Sequence, residues 1–170
     1  GFAPRSVQSE VLKIVENSEN PGIYIFEAPM GCGKTETSLA ASEILGAKFG
    51  KNGVFFGLPT QATANGIFPR ILSWAETQST ELYHSVQLNH GSAALNPLFQ
   101  NIQRGIPQEE SDSGLIIHNW FCDSKKACLA DFVTATVDQM LMLALKRKHV
   151  MLLHLGLSEK VVIIDEVHAY

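Results

Sequence analysis

The chain has 170 residues, 45% of them hydrophobic, and a net charge of −4, which allows one domain with a sizeable core and excludes a broad positive field for nucleic acid. Its three cysteines lack metal-ligand spacing and fit a reducing compartment better than a disulfide scaffold. Because the sequence contains no signal peptide and no apolar run of membrane length, it predicts a cytoplasmic protein without a membrane partner.

The first third of the chain predicts two helices with a strand between them. Apolar residues recur at helical spacing over Ser6–Asn17. After a turn, the β-branched and aromatic run Ile23–Phe26 predicts a buried strand. A second helix is expected from Lys34 to about Leu45, closing at Gly46.

The rest of the chain alternates predicted strands and helices, apart from the polar and acidic residues 97–114, which predict a long exposed insertion loop. Strands alternating with helices predict a three-layer α/β fold, in which a mostly parallel central sheet is covered on both faces. The expected elements are a strand at Val54–Leu58, a helix at Gln61–Ala75 that Pro69 kinks or divides, a weak strand at Val86–Leu88, a strand at Phe132–Thr134, a helix at Val137–Leu145, a short helix at Met151–Leu155 and a strand at Val161–Ile164.

A glycine-rich loop follows the first predicted strand. Gly31 and Gly33 allow successive backbone N–H groups to face phosphate oxygens. Lys34 places a cation near the β- and γ-phosphates, and the Thr35 hydroxyl is suited to Mg²⁺. A turn without a ligand would explain the glycines but not the Lys-Thr pair directly after them. The loop, with Ala in place of the usual first glycine, is Ala28-Pro29-Met30-Gly31-Cys32-Gly33-Lys34-Thr35.

An acidic box, Asp165-Glu166-Val167-His168, follows the last predicted strand. Ligands of open parallel sheets lie outside the carboxyl ends of the strands, so the loop and the box are expected at one edge of one sheet. Asp165 is the expected Mg²⁺ ligand, and Glu166 is the expected general base that orients the attacking water. Alone, an acidic pair after a strand is usually a solvated turn. Together with the upstream loop it predicts a nucleoside triphosphatase.

Four segments and one glutamine resemble the motifs of superfamily 2 helicases. Gln8 stands where these enzymes carry the glutamine that reads adenine, which a two-point hydrogen bond to the base allows. The resemblance implies a RecA-like P-loop NTPase fold with ATP as the nucleotide. The segments are Ala28–Glu36 for motif I, Leu58–Asn65 for motif Ia, Thr136–Gln139 for motif Ib and Asp165–His168, a DExH form, for motif II.

The resemblance narrows to the helicase–nuclease effector of type I CRISPR systems, and it covers nearly the whole chain. It implies that residues 1–170 are the first RecA-like lobe of an ATP-dependent motor that moves 3′ to 5′ on single-stranded DNA. The implied partners are a guide-RNA surveillance complex and, in the same protein, a second lobe and an HD nuclease domain. No HD pair occurs here, and no nuclease residue is assigned. The segments that carry the resemblance are Pro59–Asn65, Trp120-Phe121 with Lys125-Lys126, Thr136–Gln139 and Asp165–Tyr170.

The same resemblance assigns further roles. His168 is expected to couple the nucleotide state to the second lobe. Thr60, Asn65 and Thr136 are small polar residues at loop ends beside helix N-termini, where they can donate to DNA phosphates. Plain helix capping is an equally good explanation for each of these three.

A chain that ends beside its own metal-binding box is expected to be a fragment of a longer protein. The family supplies an arginine finger from the second lobe, so the fragment alone is expected to bind ATP weakly and to hydrolyse it very slowly. Two alternatives remain open, a DExH RNA helicase and a nucleotide-gated module without hydrolysis. Glu166 and Thr35 argue against the second, and a small-molecule kinase has no need of motifs Ia and Ib.

Overall fold

The computed structural model of the protein describes residues 5–78, 84–89, 96–97, 100, 115–116, 126–142 and 150–169. Within it the chain divides into two compact units, Gly1–Asn52 and Gly53–Tyr170. No helix in the described ranges is both long enough and apolar enough to cross a lipid bilayer. The predicted loop at 97–114 lies outside the described residues, apart from Pro97 and Gln100.

The first unit consists of two packed helices and the loop that joins them. Helix α1 spans Ser6–Asn17, as predicted, and helix α2 spans Lys34–Phe49. Val15 of α1 and Leu39 of α2 are buried. The predicted end of α2 at Gly46 is wrong, because the left-handed backbone that closes the helix occurs at Gly50, whose N–H bonds back to the Gly46 carbonyl.

The strand predicted at Ile23–Phe26 is absent. Residues 21–29 form neither helix nor strand, and the side chains of Ile23 and Ile25 are 94% and 90% exposed. A strand exists only through hydrogen bonds to a neighbouring strand, and the described part of the first unit contains no other strand. The prediction of a buried strand here is therefore wrong.

The second unit is a parallel sheet whose strands lie in the order β3-β2-β4-β1-β5. All four ladders between neighbouring strands are parallel, which confirms the predicted fold class. The two-residue strand β3 was not predicted, whereas the other four strands appear where the sequence placed them. The bounds are β1 Gly53–Leu58, β2 His84–Asn89, β3 Leu115–Ile116, β4 Phe132–Thr136 and β5 Lys160–Ile164.

The helices of the second unit lie where they were predicted, and α3 and α5 have longer bounds than expected. Helix α3 runs without a break through Pro69, so the expected division there is wrong. Phe68, Ile71 and Ala75 of this helix are buried, and their packing offsets the one hydrogen bond that proline removes. The bounds are α3 Gln61–Gln78, α4 Val137–Leu141 and α5 Val150–Ser158, with short 3₁₀ turns at Ala127–Leu129 and Val167–Ala169; the predicted end of α4 at Leu145 lies outside the described residues.

Both faces of the sheet are covered. Helix α3 packs on strands β1, β2 and β4, and its Trp74 meets Phe132 of β4 edge to face, with the ring centroids 5.3 Å apart. The next residue, Val133, points to the opposite face and packs in a core cluster with Cys128 and Leu157 of α5. The second unit therefore has three layers, with the sheet in the middle.

Candidate active site

Two glycines of the glycine-rich loop have left-handed backbone, which lets successive backbone N–H groups turn to one side. Gly31 and Gly33 have φ angles of +75° and +85°, in the left-handed region where a side chain is disfavoured. Gly33 is the residue that precedes the first turn of α2, and a Cβ on it would overlap the Gln8 side-chain amide. The loop thus leads directly into the positive end of a 16-residue helix.

Lys34 folds back over the loop. Its Nζ donates a hydrogen bond to the Ala28 carbonyl at 2.8 Å. An ammonium group carries three donors, so this bond orients the cation along the loop and commits only one of them. Thr35 is the next residue and is half-buried. Met30 is almost fully exposed, and Cys32 is a free, half-buried thiol.

Gln8 lies against this loop, as the prediction of a nucleotide role requires, but its amide is engaged by the protein. Its Oε1 accepts from the Arg5 backbone N–H at 2.8 Å, and its Nε2 donates to the Gly33 carbonyl at 3.3 Å. The side chain is buried. Contact with adenine therefore stays a prediction, whereas contact with the loop is observed.

The acidic box begins where β5 ends. The Asp165 N–H donates to the Gly57 carbonyl at 3.0 Å and extends the ladder between β5 and β1. One carboxylate oxygen of Asp165 accepts the Glu166 N–H at 2.9 Å. Glu166 has φ of +55°, a conformation that costs a residue with a Cβ about 1–2 kcal/mol. Such strain is typical of functional sites, and here it falls on the predicted general base.

His168 contacts that base. Its Nε2 lies 3.1 Å from the Glu166 Oε2, and the imidazole is largely exposed. The Ala169 N–H also donates to the Glu166 carbonyl at 2.8 Å. A short 3₁₀ turn thus places the predicted coupling residue on the predicted base. The sequence analysis did not foresee this contact, although the spacing of two residues was visible.

The predicted nucleic-acid residues lie in three different environments. Thr60 caps α3, because its Oγ accepts the Thr63 N–H at 3.1 Å while its own N–H donates to the Thr63 Oγ at 3.2 Å. Asn65 accepts a hydrogen bond from Asn96 at 2.8 Å. Thr136 is buried at the end of β4. Capping accounts for Thr60 without a ligand, and DNA contact by these residues stays a prediction.

Parallel register brings part of the predicted site together. Leu58 pairs with Thr136, and Gly57 pairs with Ile164, so motif Ia, motif Ib and the acidic box follow the same edge of the sheet. The glycine-rich loop belongs to the first unit and the acidic box to the second. The expectation that both serve one nucleotide stays a prediction.

The available donors fit Mg²⁺. Among the described residues there is no cluster of three or more His, Cys, Asp or Glu side chains that would form a protein-only metal cage. Mg²⁺ is usually bound through one or two carboxylates together with waters and substrate phosphates. The Asp165 carboxylate and the Thr35 hydroxyl are each an oxygen donor of the kind that Mg²⁺ accepts, and their joint use in one metal site stays a prediction.

The sequence analysis missed Arg5. Its Nη1 donates to the Gly31 carbonyl at 2.7 Å, across 26 positions of sequence. One signal was present, since α1 begins after an arginine rather than after a Ser, Thr, Asp or Asn, the residues that usually cap helices.

Comparison with known proteins assigns the class first. The model of the family described as "Type III restriction enzyme, res subunit" matches residues 1–170. The chain belongs to this family, and the predicted resemblance to helicases is confirmed.

Particular relatives narrow the assignment. The chain is 53% identical over 175 residues to the CRISPR-associated nuclease/helicase Cas3 of Streptococcus thermophilus, covering 100% of this chain and 19% of that protein. It is 40% identical over 171 residues to the CRISPR-associated endonuclease/helicase Cas3 of Thermus thermophilus, covering 98% and 19%. The crystal structure of T. fusca Cas3 matches with a TM-score of 0.82 at 31% identity, over 99% of this chain and 18% of that one. The chain spans about a fifth of the length of these relatives.

Proposed function

We propose that the chain is the ATP-binding lobe of an ATP-dependent 3′–5′ single-stranded DNA translocase that acts with a nuclease in CRISPR antiviral defence. The observation that carries the proposal is the loop, with Gly31 and Gly33 left-handed and Lys34 folded over it, in a chain similar to Cas3 over its whole length. Structures of T. fusca Cas3 with ADP and AMPPNP, which match at TM-scores of 0.80 and 0.81, support ATP as the nucleotide.

The residues divide the work of ATP hydrolysis. The triphosphate lies along Ala28–Thr35, where Lys34 and the backbone N–H groups bind its charge. Thr35 and Asp165 would hold Mg²⁺, which neutralises charge on the phosphates when bound. Glu166 orients the attacking water and accepts its proton. Its strained backbone and its hydrogen bond to the Asp165 carboxylate hold it directly beside the metal ligand.

His168 and Gln8 connect this chemistry to the rest of the enzyme. The 3.1 Å contact between His168 and Glu166 supports a role for the imidazole in passing the nucleotide state to a second lobe. Gln8, held on the Gly33 carbonyl, reads the adenine base. Thr60, Asn65 and Thr136 contact the DNA backbone without reading its sequence.

The complete protein supplies what the chain lacks. A second RecA-like lobe contributes the arginine finger, which is worth roughly 10³–10⁵ in rate, and an HD domain contributes the nuclease. A guide-RNA surveillance complex delivers the single-stranded DNA. The 170-residue chain alone is therefore expected to bind ATP weakly and to turn it over very slowly.

The test uses the complete protein and measures ATP turnover with single-stranded DNA or single-stranded RNA of the same sequence. We expect stimulation by DNA, unwinding of duplexes with a 3′ overhang, and loss of both activities in Glu166→Gln. The matched control is Glu159→Gln, which changes an exposed carboxylate just before β5. Stimulation by RNA alone would make the protein an RNA helicase, and unchanged turnover in Glu166→Gln would favour the nucleotide-gated module.

A further inference from the structure

We propose that Arg5 is a positioning residue for the phosphate loop: by holding the Gly31 carbonyl, its guanidinium aims the following backbone N–H at the triphosphate. This inference rests on the proposed ATP site and adds to it a residue with no assigned role. Arg5 Nη1 donates to the Gly31 carbonyl at 2.7 Å, the short distance expected of a hydrogen bond from a charged donor.

The geometry of the peptide bond turns this contact into an orientation. In a trans peptide the carbonyl and the next N–H lie in one plane and point in opposite directions. A donor that holds the Gly31 carbonyl on the α1 side of the loop therefore turns the Cys32 N–H to the other side. Gln8 acts in the same way at Gly33, whose carbonyl accepts from Gln8 Nε2 at 3.3 Å, and this fixes the direction of the Lys34 N–H.

Gly31 needs such a restraint more than Gly33 does. The Gly33 carbonyl also accepts from the Thr37 N–H at 3.0 Å and from the Thr37 Oγ1 at 2.8 Å, so α2 holds that peptide. No described atom outside Gly31 and its chain neighbours lies within 4 Å of the place where a Gly31 Cβ would stand. A glycine without packing neighbours visits several backbone conformations, so the hydrogen bond from Arg5 selects one of them.

The start of α1 is built to hold Arg5 in place. Its backbone N–H donates to the Gln8 Oε1 at 2.8 Å, the return bond by which a glutamine in the first turn fixes the residue before a helix. Gln8 is itself buried against the loop. The side chains of Arg5 and Gln8 therefore hold the loop at two carbonyls, and the ligand that benefits from the Arg5 bond is the triphosphate, whereas the base is left to Gln8.

The test compares ligands that carry only one part of ATP. In the complete protein, Arg5→Met and Arg5→Lys are measured for displacement of a fluorescent ATP analogue by inorganic tripolyphosphate and by adenosine. The matched control is Lys13→Met, which removes an exposed cation from the same helix. We expect Arg5→Met to weaken the binding of tripolyphosphate and of ATP about tenfold, which is the effect of losing one partly exposed hydrogen bond from a charged donor. The affinity for adenosine should change less than twofold. The tripolyphosphate affinity of Arg5→Lys should lie between those of the wild type and Arg5→Met.

Steady-state kinetics separate positioning from loss of folded protein. Positioning raises the KM for ATP about tenfold at nearly constant kcat, whereas partial unfolding lowers kcat at constant KM. The proposal is overturned if Arg5→Met retains tripolyphosphate affinity, if it loses adenosine instead, or if the loss disappears in high salt, which would indicate simple charge attraction. If the wild-type protein bound neither ATP nor tripolyphosphate, the proposed function itself would be overturned.

Discussion

The two units of the chain reach their structures by different means. In the second unit, paired parallel strands bury residues such as Phe55 and Val133 completely. In the first unit, hydrogen bonds from α1 and α2 shape the glycine-rich loop, while Ile23 and Ile25 remain exposed just before it. A few hydrogen bonds within one unit can therefore fix the loop, whereas a strand forms only when a neighbouring strand pairs with it.

The largest expected difference between the two units is in how much the loss of an apolar side chain lowers the free energy of unfolding. In the 170-residue chain, Phe55→Ala should lower the free energy of unfolding by about 3–5 kcal/mol, because a fully buried ring leaves a cavity. Ile25→Ala should change it by less than about 0.5 kcal/mol, because the side chain is 90% exposed. Urea unfolding followed by circular dichroism measures both. A cost above about 2 kcal/mol for Ile25→Ala would show that the segment packs as the strand the sequence predicted.

The cysteines provide a second contrast between the units. Burial raises the pKa of Cys128 from 9.0 to about 11, against the opposing influence of the Lys160 ammonium and the Asn89 side chain. Since the thiolate is the reactive form, native Cys128 should be alkylated about a hundredfold more slowly at pH 8 than an ordinary thiol, whereas half-buried Cys32 should react readily. Mass spectrometry after iodoacetamide treatment of a Cys122→Ser variant gives both rates.

The pH dependence of that contrast has a definite sign. The folded state favours the neutral thiol of Cys128, so its contribution to stability is present below pH 9 and is lost as the pH rises towards about 11. Alkylation of Cys128 at the rate of Cys32 at pH 8, in protein shown to be folded, would contradict the burial of this thiol.

The smallest expected effects come from two helical glycines in the second unit. A Cβ on Gly156 would stand 2.6 Å from the Cys128 carbonyl carbon, whereas a Cβ on Gly66 meets nothing described within 4 Å. Gly156→Ala should therefore destabilise the chain by about 1–3 kcal/mol, while Gly66→Ala should stabilise it by about 0.5–1 kcal/mol. The shifts in thermal midpoint should have opposite signs, and an unchanged or raised midpoint for Gly156→Ala would mean that α5 does not lie against the Ala127–Leu129 turn.

Most of the fold was predictable because its signals are local. Periodic apolar residues located α1, α3 and α5, and runs of β-branched and aromatic residues located β1, β4 and β5. Strand β2 gave a weak signal because four of its six residues are polar, yet three of them, Ser85, Gln87 and Asn89, are buried. The prediction of a strand at Ile23–Phe26 failed for the opposite reason: its local signal is strong, but that signal cannot supply a neighbouring strand to pair with.

The site shows the same difference between features with a local sequence signal and features that depend on a neighbour in space. The motifs located a loop in which Gly31 and Gly33 have left-handed backbone and Lys34 bonds to the Ala28 carbonyl, and the chemical roles of these residues stay predictions. They did not predict the bond from Arg5 to Gly31 or the contact of His168 with Glu166. These two contacts depend on how a turn or a helix start is folded in space, which no residue type determines alone.

The central claim is that Lys34 and Glu166 serve the same phosphoryl transfer, and a double-mutant cycle of ATP turnover in the complete protein tests it most directly. Single substitutions Lys34→Ala and Glu166→Gln should each lower turnover by about 10²–10⁴. If both act on one ATP, the double variant should be little worse than the poorer single variant, because residues that act as a unit lose activity non-additively. Losses that multiply as if independent, or full turnover in either single variant, would contradict the account.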